Sequence, residues 1–127
     1  MIDRRLLATG MLVLCSAASV AAPPPAPPVQ SIDLVSFAYR PAPIVLRAGQ
    51  PVTLVFANRG KGSHDFTAPA FFGASRILVG QAPRGTVVLG GRQSASVTLI
   101  PAAGRYRVHC GRPLHKMMGM QTTILVQ

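Results

Sequence analysis

Tyr106-Arg107-Val108-His109-Cys110-Gly111-Arg112-Pro113-Leu114-His115-Lys116-Met117-Met118-Gly119-Met120 joins two strand-like segments near the carboxyl end of a 127-residue chain. Up to the thiol the stretch alternates: Tyr106, Val108 and Cys110 face one way, and Arg105, Arg107 and His109 face the other. That period of two sets Cys110 at the end of a core-facing row and His109 on the exposed side. Four residues then separate Cys110 from His115, and four more separate His115 from Met120. A thiolate, an imidazole and a thioether supply one soft anionic donor, one borderline nitrogen and one weak soft sulfur, a set that suits copper. A complete site needs one more donor from elsewhere in the chain.

Outward from this stretch the texture is uniform. Short runs rich in Val, Ile, Leu and Phe, broken by Gly, Pro or Asn, read as strands at 32–39, 44–47, 51–57, 64–67, 76–79, 86–89, 93–100, 105–110 and 121–126. Within 94–99, Ala95, Val97 and Leu99 point to one side and Ser94, Ser96 and Thr98 to the other. No segment carries a helical period, although residues 68–75 fit either a short helix or a loop. So many short strands exceed one flat sheet and imply an all-β sandwich or barrel.

The remaining donor is found at the start of one of these strands. Asn58-Arg59-Gly60-Lys61-Gly62-Ser63-His64-Asp65-Phe66 is a turn-rich loop running into a strand, with His64 at the junction. If this loop shares a pole of the sandwich with residues 110–120, then His64, Cys110 and His115 form a trigonal set with a long axial Met, the arrangement of blue copper sites. Met120 is the expected axial ligand, and Met118 is the alternative. Met117 and Met118 otherwise border the site.

The amino end has a different character. Met1-Ile2-Asp3-Arg4-Arg5, an apolar run to Val20 and then Ala21-Ala22 follow the order of a signal peptide, with cleavage expected after Ala21. Arg4-Arg5 also fits a twin-arginine signal. The run is short for a membrane span of about 20 residues and is interrupted by Thr9, Gly10, Ser16 and Ser19. The expected organisation is a signal peptide over 1–21, a Pro-rich leader over 22–31 and one domain over 32–127, in an exported, periplasmic protein. Cleavage would remove Cys15 and leave Cys110 as the only thiol. A lone thiol in an oxidising compartment needs protection, by metal or by burial.

Charge narrows the function classes. The chain has 13 Lys and Arg against 3 Asp and Glu; without Asp3, Arg4 and Arg5 the balance is 11 against 2, about +9. The basic residues are scattered and not interleaved with aromatics, which disfavours nucleic acid and favours an acidic protein partner. Glu is absent, and Asp33 and Asp65 are the only carboxylates after residue 21, so paired-carboxylate catalysis is nearly excluded and no enzyme is expected.

Over residues 32–127 the sequence resembles the cupredoxin family, the small blue copper proteins of plastocyanin, amicyanin and azurin type. Gly104, Tyr106, Val108 and Cys110 match the family's ligand strand, followed in order by a His, a Met and a last strand. Phe56, Asn58, Gly60, Gly62 and His64 match the upstream ligand loop, and His109 before the Cys is similar to amicyanin. The resemblance implies a Greek-key β-sandwich of about seven to nine strands with one copper ion, cycling between Cu(I) and Cu(II), held by His64, Cys110, His115 and Met120. It further implies a monomeric one-electron carrier, with His115 at the surface amid Pro113, Leu114, Met117 and Met118. There an acidic redox partner, a c-type cytochrome or an oxidase or dehydrogenase domain, would dock. The alternative is a periplasmic copper-binding or delivery protein, favoured by Met117 and Met118. The chain departs from its relatives at two positions. Many have Asn after the loop His and a hydroxyl residue after the Cys; here they are Asp65 and Gly111. Asp65 is expected to accept backbone N–H groups of the Cys110 loop or to pair with Arg112. The Cys-to-His gap is also longer than in plastocyanin and similar to azurin.

Overall fold

A computed structural model describes residues 10, 12–112 and 119–127. Among them are ten strands: β1 (Val29–Val35), β2 (Ala38–Arg40), β3 (Ile44–Leu46), β4 (Val52–Asn58), β5 (His64–Thr67), β6 (Arg76–Val79), β7 (Thr86–Leu89), β8 (Ser94–Ile100), β9 (Gly104–His109) and β10 (Gln121–Val126). They form two five-stranded sheets, ordered β2-β1-β4-β8-β6 and β3-β10-β9-β5-β7. β1 with β4 and β3 with β10 run parallel, and the other pairs are antiparallel. The two sheets face each other across one core, as the alternating strands require.

That core is made by the period of two. In β4, Val52, Leu54 and Phe56 are buried, and in β8, Val97 and Leu99 are buried while Ser94 and Ser96 are exposed. In β9, Val108 is buried and Arg105 and Arg107 are exposed. Aromatic rings fill the middle: Phe66 lies 4.8 Å from Phe56, 5.6 Å edge-on from Tyr39 and 6.0 Å edge-on from Phe72, centroid to centroid. Such tilted and edge-to-face contacts suit the ring quadrupole.

The expected run 32–39 is two strands, not one. The chain reverses at Ser36-Phe37, so that Leu34 pairs with Tyr39 and Val35 with Ala38. Phe37 takes a positive φ of 58°, unusual for a bulky side chain. No Gly or Asn marks the turn. β1 also begins at Val29, inside the stretch expected as leader, because Val29, Gln30 and Ser31 pair with Thr53, Leu54 and Val55. Residues 68–75 contain a short helix, α1 (Pro69–Ala74), with Pro at its first turn, where a missing N–H costs nothing. It buries Phe71 and Phe72, and Ser75 closes it by donating its hydroxyl to the Phe71 carbonyl at 2.7 Å.

Candidate metal centre

The site is built where β5, β9 and β10 end. β5 lies antiparallel to β9, with Thr67 opposite His109. Carrying that register one step at a time sets Phe66 opposite Cys110 and Asp65 opposite Gly111. On the other flank of β9, Gln121 pairs with His109, and the Cys110 N–H donates to the Met120 carbonyl at 3.1 Å. Opposed residues point to the same face, and residues two apart share it. His64, Phe66, Cys110 and Met120 therefore belong to one core-facing row at one end of the sandwich. Their burial agrees: His64 is 6% exposed, Cys110 1% and Met120 0%.

His64 is presented by a loop moulded around Asn58. The Asn58 side-chain amide donates to the carbonyls of Gly62 (2.8 Å), Gly90 (3.0 Å) and Leu89 (3.2 Å), and its oxygen accepts the Gly60 N–H at 3.0 Å. The loop so folded is pinned to the 90–93 turn by a bond from Arg92 N–H to the Gly60 carbonyl. A Cβ built on Gly60 would stand 3.5 Å from His64 Nε2, so that edge of the imidazole faces the loop. The other nitrogen, Nδ1, is fully buried.

Asp65 joins this loop to the thiol segment. Its Oδ1 accepts the Gly111 N–H at 2.8 Å and the Thr67 hydroxyl at 2.7 Å. A Cβ on Gly111 would come within 3.2 Å of Oδ2, so a bare backbone suits the close approach. The first of the two expected roles for Asp65 is thus the one observed. Arg112 does not pair with it and donates instead to Ser63 Oγ at 2.6 Å, since the same register carries position 112 past Asp65 to the level of His64.

Tyr39 is a participant that the sequence did not single out. Its hydroxyl donates to the Asp65 carbonyl at 2.7 Å, from the opposite sheet. Burial first, then the nearby Cys110 thiol and Asp65 carboxyl, push this phenol well above its ordinary range. Thr67, by contrast, could have been found: it is two residues beyond Asp65 and so shares its face. His109 faces away from the core as expected but is half-buried, since Thr67 and Gln121 flank it on both sides. It lines a groove of about 360 Å³ with Arg107, Gln121 and Thr123.

Of the expected ligands, His64, Cys110 and Met120 are brought to one face; His115 lies outside the described residues, as do Met117 and Met118. Among the described residues no three His, Cys, Asp or Glu side chains gather as a metal-holding group. The donors on hand are a buried imidazole nitrogen, a buried thiol and a buried thioether, which fit a soft-metal centre. Asp33, the other carboxylate beyond residue 21, pairs with Arg59 at 3.0 Å, away from this row.

No helix among the described residues is long and apolar enough to cross a membrane. Three solved structures show the same fold. A dithionite-reduced auracyanin from the photosynthetic bacterium Roseiflexus castenholzii is 20% identical, with a TM-score of 0.59 over 81% of this chain and 99% of its own. Auracyanin A, a "blue" copper protein from Chloroflexus aurantiacus, is 21% identical, with a TM-score of 0.54 over 78% of this chain and 99% of its own. The multicopper oxidase McoA of Aquifex aeolicus is 14% identical, with a TM-score of 0.62; 86% of this chain covers 32% of the oxidase. Among curated proteins, none matches this sequence. The profile of the Cupredoxin-like domain matches residues 5–126, nearly the whole chain, and the protein belongs to that family.

Proposed function

We propose that this chain is an exported, mononuclear blue copper protein that carries single electrons. The observation that carries this reading is the common face of His64, Cys110 and Met120, with Cys110 and Met120 joined through their backbones and His64 fixed on the adjoining strand. His64 Nδ1, the Cys110 thiolate and Met120 would hold the copper, with His115 as the further nitrogen donor. Bound copper would supply the one-electron couple. The protein's part is to hold its donors in place through Asn58, Asp65 and the two sheets, so that little moves when the charge changes. An acidic redox protein docking near His115, Leu114, Met117 and Met118 is the partner that the charge of about +9 would steer.

The test is spectroscopic. The purified protein lacking residues 1–21, titrated with Cu(II), should develop an intense visible thiolate-to-copper band at one equivalent, and Cys110→Ala should abolish it. A colourless one-to-one mixture would sink the assignment. A reversible potential with slow metal loss to a Cu(I) chelator favours the carrier, whereas rapid transfer of Cu(I) to the chelator favours copper delivery.

A further inference from the structure

The row of donors leaves one buried group unused by the copper reading, the Asp65 carboxylate. It is 6% exposed, has no ion-pair partner among the described residues, and is held by two neutral donors, the Gly111 N–H and the Thr67 hydroxyl. The Thr67 hydroxyl is itself 3.2 Å from that of Thr86 on β7, so the arrangement spans three adjacent strands. One end of Asp65 is covalently next to His64, and its carboxylate is bonded to the residue after Cys110. A buried anion with neutral partners acts on nearby charge more strongly than one exposed to water.

Resting on the copper reading, we propose that Asp65 is a positioning residue that clasps the His64 strand to the Cys110 segment through Gly111, and that its uncompensated negative charge favours the oxidised metal over the reduced one. The clasp is a matter of geometry, since the Gly111 N–H bond to Oδ1 ties the two ligand-bearing segments while the Thr67 hydroxyl, on the same strand as Asp65, orients that oxygen. The bias is a matter of charge, since Cu(II) carries one more positive charge than Cu(I) and gains more from an adjacent anion. An amide at position 65 keeps the acceptor oxygen and removes the charge, so the two roles separate.

The experiment compares wild type, Asp65→Asn and Asp65→Ala. In the copper-loaded form, D65N should retain the visible band while its Cu(I)-to-Cu(II) ratio at a fixed ambient potential rises about tenfold, equivalent to ~59 mV for one electron. In the metal-free form, hydrogen exchange at the Gly111 amide should stay slow in D65N and speed up at least tenfold in D65A. A D65N protein with an intact band and the wild-type ratio overturns the charge role. A Gly111 amide as protected in D65A as in wild type overturns the clasp. If wild type forms no band, it is the copper reading that fails, and the exchange measurement still decides the clasp.

Discussion

The Tyr39 hydroxyl and the Asp65 carbonyl are joined by a 2.7 Å hydrogen bond that crosses from one sheet to the other, 26 positions apart in sequence. Because Asp65 follows His64 and grips Gly111, this bond ties the His64 end of β5 to the opposite wall of the core. Tyr39→Phe removes one buried hydrogen bond and should cost about 1–2 kcal/mol, read from denaturant midpoints at neutral pH. The phenol's folded-state pKa lies above its unfolded value of about 10. The folded state therefore holds a proton that the unfolded chain releases. The stability tied to that proton is fully present below about pH 10 and is lost as pH rises further, by roughly 1.4 kcal/mol per pH unit. Metal-free wild type should weaken more steeply above pH 10 than Y39F, and parallel curves would contradict the buried phenol.

Asn58 is 2% exposed, and its amide N–H groups face three carbonyls. Asn58→Asp is nearly isosteric but turns a carboxylate oxygen, and at neutral pH a negative charge, toward those same carbonyls. It should destabilise by about 3 kcal/mol or more, the range for a buried unsatisfied charged group. Asn58→Ala should cost less than the Asp variant. Equilibrium unfolding of the metal-free proteins orders the two, and an Asp variant as stable as wild type would contradict the three-carbonyl arrangement.

Gly91 faces Lys61 so closely that a Cβ on it would overlap the Lys61 carbonyl oxygen. The 90–93 turn and the His64 loop are in backbone contact there, reinforced by the Arg92-to-Gly60 bond. Gly91→Ala must push the loop away and should cost about 1–3 kcal/mol, as overpacking does. Gly62→Ala is its control, since nothing stands within 4 Å of a Cβ at that position. Thermal midpoints should fall clearly for the first and little for the second.

Much of this arrangement is legible in the sequence because it follows from a period of two. The alternation through Tyr106, Val108 and Cys110 foretells the face of the thiol, and strands 64–67, 76–79, 86–89 and 121–126 coincide with β5, β6, β7 and β10. What escapes is set by tertiary contact. The Ser36-Phe37 reversal contains no residue suited to a positive φ, so nothing local announces it. Tyr39 looks like any strand aromatic until the opposite sheet supplies the Asp65 carbonyl. Val29 looks like the end of a proline leader until β4 offers it a parallel neighbour. Arg112 or Gly111 as the partner of Asp65 is a question of one residue in register, which only the pairing of Thr67 with His109 resolves.

The same register makes Phe66 the cross-strand neighbour of Cys110, with its ring wedged between Phe56, Tyr39 and Phe72. A thiol can be shielded from oxidation by metal or by burial, and the 1% exposure of Cys110 means that burial shields it without any metal. Phe66→Ala should cost about 3–5 kcal/mol, the usual range for a buried Phe. It should also open the space beside the thiol. In the metal-free protein under native conditions, a disulfide reagent should then label Cys110 at least tenfold faster in F66A than in wild type. Phe66→Leu keeps most of the volume and should label only a few times faster. If both variants react at the wild-type rate while still folded, Phe66 does not cover the thiol, and its shielding must be assigned to other neighbours.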